Sequence, residues 1–268
     1  MPPDPSIVLL LGEPVTRSLS PGMQNVAFAA LGIDCQYMPR EVDRAGLDGV
    51  IDELRADEHI LGANVTIPHK ESVIAYLDEL DPQAARIGAV NTISRQGSTL
   101  KGWNTDVEGF QRALAEQSGK SPSPLAGEGR GGGYRAAAII GAGGAARAVA
   151  AALQPAADVW VIARNLDQAR RLCRDLEIER GGPVEMNQMR EMVTRVDLVV
   201  NATPADLPPA SWLRPDHRLF DLRSRRSGEG RAMLLYQGAA AFEIWTGRPA
   251  PIEAMRAALE RAAEGVHA

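Results

Sequence analysis

The chain has 268 residues, enough for one large domain or for two smaller ones that each bury a core of their own. Its 45% hydrophobic and 24% charged residues are ordinary for a soluble globular protein. The net charge of −5 argues against a general nucleic-acid-binding surface, so any recognition of phosphate must come from local donors.

The cysteines and histidines indicate neither disulfides nor a metal site. Cys35 and Cys173 are far apart in apolar surroundings, so we expect two free buried thiols and a reducing compartment. The four histidines are isolated and no Cys-x-x-Cys occurs, so we expect no metal. The first residues lack a basic segment and a long apolar run, so we expect neither a signal peptide nor a membrane span there. We therefore expect a cytoplasmic location.

Strand-like and helix-like segments alternate from the start of the chain. We predict a strand at SIVLLLG, a helix at SPGMQNVAFAALG, a strand at CQYMPREV, a helix at GLDGVIDELRA and a strand at GANVTI. Ser20 is the predicted N-cap of the first helix, and Gly32 its terminator. Two short strands, GAVNTISR and STLKGW, follow around a turn at residues 96–98. This order predicts a mostly parallel sheet with an antiparallel edge.

The second half repeats the alternation after a helix and an irregular stretch. The helix NTDVEGFQRALAEQ is predicted to open with a capping box of Thr105 and Glu108. Residues 118–134 are rich in Gly, Pro and Ser and predict a flexible insertion. Strands are then predicted at RAAAIIG, DVWVIAR, DLVVNAT and RLFDLR, and helices at GAARAVAAALQ and LDQARRLCRDLE. Two amphipathic helices, AMLLYQGAAAFEIWTG and PIEAMRAALERAAEG, close the chain.

The stretch IIGAGGAARA predicts a dinucleotide-binding loop. Gly141 and Gly143 directly follow a buried strand and open an alanine-rich helix, which is the context that the fingerprint requires. Gly141 allows the tight turn, Gly143 lets the backbone approach a pyrophosphate, and Ala146 is small enough for helix packing. A glycine turn that only packs helix against strand is the alternative. The candidate cofactor-binding residues in the loop are Gly141, Ala142, Gly143, Gly144 and Ala145.

The end of the next strand bears on the choice of cofactor. An NAD site places an acidic residue there, but this strand ends VIARN, and Asp167 falls in the first helical turn, where capping is its expected role. Arg164 offers a planar fork suited to a 2′-phosphate, with Asn165 as a further donor. The sequence therefore favours NADP, with NAD as the alternative cofactor. Arg164 could also be an ordinary solvent-exposed arginine without a role in binding.

Polar residues in the first half gather at predicted strand ends, the edge where open parallel sheets bind ligands. Hydroxyls, amides, one cation and one carboxylate suit a small, hydroxyl-rich, anionic substrate. Each residue has another reading: a capping role for Ser20, a dipole interaction for Asp106, and solvent exposure for Lys70. The residues are Asn64, Thr66, Lys70, Asn91, Asn104 and Asp106, with Ser18 and Ser20 in the loop after the first strand.

These motifs resemble those of shikimate dehydrogenases in their order and spacing. The matching runs are SLSPGMQN, GANVTIPHK, GAVNTI, GWNTDVEGF, IIGAGGAARA, VVNAT and MLLYQGAAAFEIWTG. The resemblance implies reversible reduction of 3-dehydroshikimate to shikimate by NADPH, in aromatic amino-acid (chorismate) biosynthesis. It also implies an α/β fold with an N-terminal substrate-binding domain, 1–103, and a Rossmann cofactor domain, 104–237. The C-terminal helices, 238–268, would return to the first domain.

The resemblance also implies roles for individual residues. Ser18 and Ser20 fall on the pair that holds the substrate carboxylate. Lys70 and Asp106 fall on the catalytic pair. The substrate-hydroxyl contacts fall on Thr66, Asn91 and Gln237, and further cofactor contacts on Thr203 and Gly230. The expected partners are small molecules, with a monomer or homodimer as the assembly.

The sequence departs from the family after RLFDL. There the family continues with a tyrosine, a Pro and Thr pair, a helix and a further strand, whereas this chain has only RSRRSGEGR. Ser224 stands where the tyrosine, a substrate contact, is expected. We expect the shortened segment to open the edge of the cofactor domain and loosen its nicotinamide side. The shortened segment motivates one alternative, a non-catalytic ligand-binding relative. Two others stay open: an NAD-linked quinate or shikimate dehydrogenase, as in close relatives of the family, and a dehydrogenase of unrelated carbonyls.

Overall fold

The computed structural model describes residues 5–117 and 134–264, so most of the predicted insertion, residues 118–133, lies outside it. The chain forms two compact α/β units. The first ends at Thr105 and resumes at Leu234, and the second runs from Asp106 to Met233. We propose that these units are the substrate-binding and cofactor domains expected from the sequence.

The first unit is built on a six-stranded mixed sheet with the order β2-β1-β3-β5-β6-β4. Only β5 runs against its neighbours, which confirms a mostly parallel sheet. The antiparallel strand lies inside the sheet rather than at the predicted edge, because β6 pairs on its far side, followed by β4, a short strand that was not predicted. The strands are β1 (Ser6–Gly12), β2 (Cys35–Glu41), β3 (Ile60–Val65), β4 (Glu79–Leu80), β5 (Thr92–Gln96) and β6 (Thr99–Trp103).

Helices cover both faces of this sheet. Alternate residues of β1 point to opposite faces, so Leu9 packs on one side and Leu10 on the other. Burial on both sides explains why β1 is a continuous apolar run. Helix α9 packs against α1, as the resemblance implied for the end of the chain. The helices of this unit are α1 (Ser20–Ala30), α2 (Leu47–Ala56), α3 (Pro82–Ile87) and α9 (Ile252–Glu264).

The outer edge of β2 is occupied by a side chain of α1. Asn25 Nδ2 donates to the backbone carbonyl of Tyr37 at 3.1 Å, and the Tyr37 N–H donates to Asn25 Oδ1 at 2.7 Å. The asparagine amide therefore takes the place of a neighbouring strand at this residue.

The second unit contains a five-stranded, fully parallel sheet with the order β11-β10-β7-β8-β9. Its alternation with helices confirms the Rossmann-type prediction. Phe110 of α4 and Phe220 of β11 pack with ring centroids 4.8 Å apart. The elements are α4 (Asp106–Gln117), β7 (Ala136–Ile140), α5 (Gly144–Leu153), β8 (Asp158–Ala163), α6 (Leu166–Asp175), β9 (Gly181–Glu185), α7 (Met189–Val193), β10 (Leu198–Asn201) and β11 (Arg218–Asp221); α8 (Gly228–Thr246) follows β11.

The caps of three helices differ from the prediction, although α4 begins directly after Thr105 as predicted. Ser20 is the first residue of α1 rather than its N-cap, and Ser18 Oγ accepts its backbone N–H at 3.2 Å. The reciprocal half of the Thr105–Glu108 box is absent, because the Thr105 N–H donates to Asn91 Oδ1 at 2.8 Å. Helix α6 is capped by Asn165 rather than by Asp167.

The described part of the chain contains no helix with the length and apolarity to cross a membrane, and no group of three potential metal ligands. Cys35 and Cys173 are both free and buried, as predicted. Burial raises the pKa of the Cys35 thiol to about 12, with a smaller contribution from Asp34. Burial also raises the pKa of Cys173 to about 11.

These thiol pKa values predict slow modification of the native protein. At pH 8 neither cysteine should react with a thiol-specific chromogenic reagent on a scale of minutes, and both should react after unfolding in urea. Because folding favours the neutral thiols, their contribution to stability is lost as the pH rises above the ordinary thiol pKa of 9.0. Rapid release of chromophore from the native protein at pH 8 would contradict the assignment.

Candidate active site

Polar residues of the first unit converge at one edge of its sheet. Asn64, near the end of β3, lies opposite Thr92, the first residue of β5. Thr92 also lies opposite Trp103, the last residue of β6. Because β5 is antiparallel to β3 and β6, its first residues lie beside the last residues of these two strands. Asn91 and Asn104, which flank these strands, therefore lie at the same edge.

A buried hydrogen-bond network joins the strands at this edge. The Tyr37 hydroxyl donates to Asn64 Oδ1 at 2.7 Å. Asn64 Nδ2 donates to the carbonyl of Asn91 and to Thr92 Oγ1, both at 3.0 Å. All four residues are at least nine-tenths buried, so each polar group depends on a partner within the protein.

Asn91 is the hub of the network. Its Nδ2 donates to Thr105 Oγ1 at 2.9 Å and to Gln237 Oε1 at 3.2 Å. Its Oδ1 accepts from the Thr105 N–H and from Thr92 Oγ1. Gln237 Nε2 donates in turn to the carbonyl of Leu234 in α8. The amides of Asn91 and Gln237 are thus held in one orientation by the protein itself.

The two serines predicted to bind a carboxylate lie at the beginning of α1. Ser20 is buried, whereas Ser18 is half-buried. Burial raises the pKa of the Tyr37 phenol, and a hydrogen bond with the Ser20 side chain partly opposes that rise. Ser20 is therefore linked through Tyr37 to Asn64 and the rest of the network.

The turn after β3 is held tightly against the end of β1. The Thr66 N–H donates to the carbonyl of Leu11, and the Glu13 N–H donates to the carbonyl of Ile67, at 2.8 and 2.9 Å. A Cβ atom at Gly12 would lie 2.4 Å from Thr66 Cγ2, so the turn requires glycine there. The carbonyl of Lys70 accepts from the Val90 N–H at 2.7 Å, and Lys70 is half-buried. Thr66 and Lys70 thus stand on a fixed backbone.

Asp106 is the first residue of α4 and only 4% exposed. It follows Thr105, whose backbone and hydroxyl groups both bond to Asn91. A carboxylate in the first helical turn interacts favourably with the helix dipole, so the simpler role foreseen for Asp106 has a structural basis too.

The glycine-rich loop of the second unit has the features of an anion site. Gly141 has φ +118°, and a Cβ there would lie 3.1 Å from both the Ala202 carbonyl and Thr203 Cγ2. Gly143 is the N-cap of α5 and provides no capping side chain. The first helical N–H groups, of Gly144 and Ala145, are therefore left to a ligand or to solvent.

Small residues complete the loop. Ala142 is buried, and Ala146 is fully buried where α5 packs on the sheet, in the position predicted from sequence. A side chain at Gly141 would crowd the loop, and the first N–H groups of α5 have no capping side chain. Both features fit the pyrophosphate of a dinucleotide.

Arg164 and Asn165 follow β8 and are both exposed. Within the described residues Arg164 makes no hydrogen bond or ion pair, so its guanidinium is available to a ligand. Asn165 Oδ1 accepts the N–H groups of Asp167 and Gln168 as the helix cap. The Oδ1 atom of Asn165 is thus engaged in capping α6, and its Nδ2 remains as the donor expected from the sequence.

Thr203 lies in the loop after β10. Its hydroxyl donates to Asn201 Oδ1 at 2.8 Å and accepts from the Ala205 N–H at 3.2 Å. The same Oδ1 accepts the Thr203 N–H at 3.1 Å, which fixes the loop beside Gly141.

The shortened connection between β11 and α8 is tied to the end of β11. The Arg223 guanidinium bonds both carboxylate oxygens of Asp221, with its Nε 2.9 Å from each, and also bonds Asp206 at 2.8 Å. Ser227 Oγ donates to the Asp221 carbonyl at 2.5 Å and accepts from the Gly230 N–H at 2.8 Å. A Cβ at Gly230 would lie 2.7 Å from the backbone of the connection, so glycine is required. β11 is an edge strand, but the segment after it is firmly anchored.

Comparisons with known proteins identify the family. Models of the shikimate dehydrogenase substrate binding domain, of shikimate/quinate 5-dehydrogenase and of the shikimate 5′-dehydrogenase C-terminal domain match residues 10–93, 133–210 and 230–260. Shikimate dehydrogenase (NADP(+)) of Moorella thermoacetica is 42% identical over 288 residues, covering 96% of this chain and 93% of that relative. The chain belongs to the shikimate dehydrogenase family.

Solved structures of this family have the same fold. Shikimate 5-dehydrogenase from Thermus thermophilus, in complex with NADP(H) and shikimate, is 34% identical with a TM-score of 0.78, covering 96% of this chain and 99% of that one. Quinate dehydrogenase from Corynebacterium glutamicum, in complex with NAD, is 25% identical with a TM-score of 0.78, covering 97% and 100%.

The alignment with a relative shows that this chain lacks residues which the relative has. Its alignment with the Moorella thermoacetica relative spans 288 residues, more than the 268 of the chain, so this chain contains gaps. The matched models leave residues 94–132 and 211–229 uncovered, and the second range includes the connection from β11 to α8. Both observations agree with the missing segment inferred from the sequence.

Sequence reasoning missed Tyr37 and Thr92. A signal for Tyr37 was present, since it alternates with Cys35 on one face of β2 and a buried phenol needs a hydrogen-bond partner. Thr92 could not be found without the strand register, because its hydroxyl matters only through its position opposite Asn64.

The network predicts a cost for losing the Tyr37 hydroxyl. Tyr37→Phe leaves the buried Asn64 Oδ1 without its donor and should lower the free energy of unfolding by about 1–3 kcal/mol, measured by urea denaturation. Tyr76→Phe is the matched control, because Tyr76 is 37% exposed and outside the network. Equal effects of the two changes would contradict this account of the network.

Proposed function

We propose that this protein is an NADP-dependent shikimate dehydrogenase, which reduces 3-dehydroshikimate to shikimate reversibly in aromatic amino-acid biosynthesis. The observation that carries the proposal is 42% identity, over 96% of the chain, to a shikimate dehydrogenase (NADP(+)). The polar sheet edge of the first unit and the glycine-rich loop of the second support it.

The substrate groups come from the first unit. Shikimate is a small carboxylate with several hydroxyls, and we assign its carboxylate to the hydroxyls of Ser18 and Ser20. Its ring hydroxyls are assigned to Thr66, Asn91 and Gln237. The buried bonds among Asn91, Thr105 and Gln237 support this assignment, because they orient the two amides before a ligand arrives.

The cofactor groups come from the second unit. The backbone N–H groups of residues 141–145 are assigned to the pyrophosphate, and Arg164, with Asn165 Nδ2, to the 2′-phosphate. Thr203 and Gly230 are assigned as further contacts to the cofactor. When bound, NADPH supplies the hydride for reduction of the ketone.

Lys70 and Asp106 are assigned to proton transfer. Negative charge develops on the ketone oxygen during reduction, so a proton donor or nearby cation stabilises the transition state. The ammonium of Lys70 can serve as both, and its amine can accept the proton in the oxidative direction. Asp106 would accept a hydrogen bond from the ammonium and orient it.

The remaining assignments concern the setting of the enzyme. Two free buried thiols suit a reducing compartment, so we propose a cytoplasmic location. The net charge of −5 disfavours nucleic acid as a partner, and we propose small molecules as ligands and a monomer or homodimer as the assembly.

Lys70→Ala tests the proton-transfer assignment. The change should lower kcat for shikimate oxidation about 10²- to 10⁴-fold with little change in KM for shikimate, because it removes an interaction of the transition state. NADP reduction followed at the nicotinamide absorbance band gives both constants. Lys101→Ala is the control, since Lys101 pairs with Glu79 at 3.6 Å on the surface. A wild-type protein inactive with shikimate and NADP would refute the proposed function.

Arg164→Ala tests the cofactor assignment. A charged hydrogen bond to the 2′-phosphate contributes about 1.5–3 kcal/mol, so kcat/KM for NADP should fall about 10- to 100-fold while that for NAD stays constant. Arg170→Ala is the control, because Arg170 bonds Asp167 in the same region at 3.0 Å. Equal losses with both cofactors would remove Arg164 from the 2′-phosphate site.

An NAD-linked quinate or shikimate dehydrogenase is the second candidate. The similarity to a quinate dehydrogenase in complex with NAD favours it, as does Ser224 where the family tyrosine is expected. Steady-state rates with both substrates and both cofactors distinguish the two, since turnover of quinate with NAD alone selects the second. Ligand binding without hydride transfer would instead select a non-catalytic relative, and turnover of other carbonyls alone an unrelated dehydrogenase.

A further inference from the structure

His69 precedes Lys70 and has no part in the mechanism above. Its side chain is fully buried, and Nε2 lies 2.6 Å from the carbonyl oxygen of Val42. Because a carbonyl can only accept, Nε2 must carry the proton. Nδ1 is buried and has no partner among the described residues. The imidazole therefore makes one directed hydrogen bond, as the Nε2–H tautomer.

This bond joins segments that are distant in sequence. Val42 follows β2, and its own N–H donates to the Gly12 carbonyl at the end of β1 at 3.1 Å. The backbone of His69 is fixed as well, since its N–H donates to Thr66 and its carbonyl accepts from Val73, both at 2.9 Å. The imidazole thus anchors the turn containing Thr66 and Lys70 to the ends of two strands.

Packing alone does not account for a histidine at this position. An apolar side chain would fill the space without leaving Nδ1 buried and unpaired, a state that is unfavourable in a protein interior. The residue is better explained by the donor at Nε2, which reaches Val42 across the turn.

We propose that His69 is a positioning residue for proton transfer, whose hydrogen bond to Val42 holds the backbone from which Lys70 extends. The inference rests on the proposed function, in which Lys70 exchanges the proton with substrate. A displacement of about 1 Å in a reacting group can lower a rate about 100-fold. Loss of the hydrogen bond between His69 and Val42 should therefore lower kcat.

Two amide substitutions of His69 test the hydrogen bond. In His69→Gln the amide N–H₂ reaches the place of Nε2, whereas in His69→Asn it reaches only the place of Nδ1. His69→Gln should keep kcat near the wild-type value, and His69→Asn should lower kcat about 10- to 100-fold with KM for NADP unchanged. His59→Asn, at a half-buried histidine of the same unit, should leave kcat unchanged.

The outcomes separate this inference from the proposed function. Equal kcat for folded His69→Gln and His69→Asn proteins would overturn the inference, while loss of activity in Lys70→Ala would still support the function. A wild-type protein without turnover of shikimate would overturn both. Should His69→Asn fail to fold, ¹⁵N NMR of the wild-type imidazole decides: a proton on Nε2 supports the inference, and a proton on Nδ1 overturns it.

Discussion

The buried amide of Asn64 connects three strands at the polar edge of the first unit's sheet. It accepts from Tyr37 of β2 and donates to Asn91 and Thr92 at the beginning of β5, so one side chain connects β2, β3 and β5. An unpaired buried polar group costs about 1–3 kcal/mol, and the residues of these strands are therefore constrained together. Asn64 bonds the backbone of Asn91, and the Asn91 amide bonds Gln237, so the amides assigned to the substrate are held in place by Asn64 and its partners.

The sequence predicted the elements whose local pattern agreed with their tertiary setting. β1 and α5 are continuous apolar or alanine-rich runs, and the Gly141 turn carries its own signal. β9 was missed because GGPVE reads as a turn; as an edge strand it tolerates Pro183. The helix caps were mispredicted for another reason. The Thr105 N–H that Glu108 would bond goes to Asn91, and α1 begins at Ser20 itself, whose N–H goes to Ser18 Oγ. Only the fold brings Asn91 to Thr105.

The shortened connection is compatible with an intact sheet because β11 lies at its edge. Residues that follow an edge strand carry none of the ladder bonds of the other strands, so their removal leaves β10, β7, β8 and β9 paired. Arg223 and Ser227 then anchor the short connection through Asp221, one by its side chain and the other by its backbone carbonyl. The five-stranded sheet is therefore complete in a chain that aligns over 96% of its length with a shikimate dehydrogenase.

The amide of Asn25 has a consequence for how copies of this protein can meet. Exposed strand edges invite a second chain to extend the sheet, because their backbone groups point outward without partners. On β2 the outward N–H and carbonyl of Tyr37 are already bonded to Asn25. A neighbouring strand could add there only by displacing that side chain from both bonds. Strand addition at this position of β2 is therefore disfavoured.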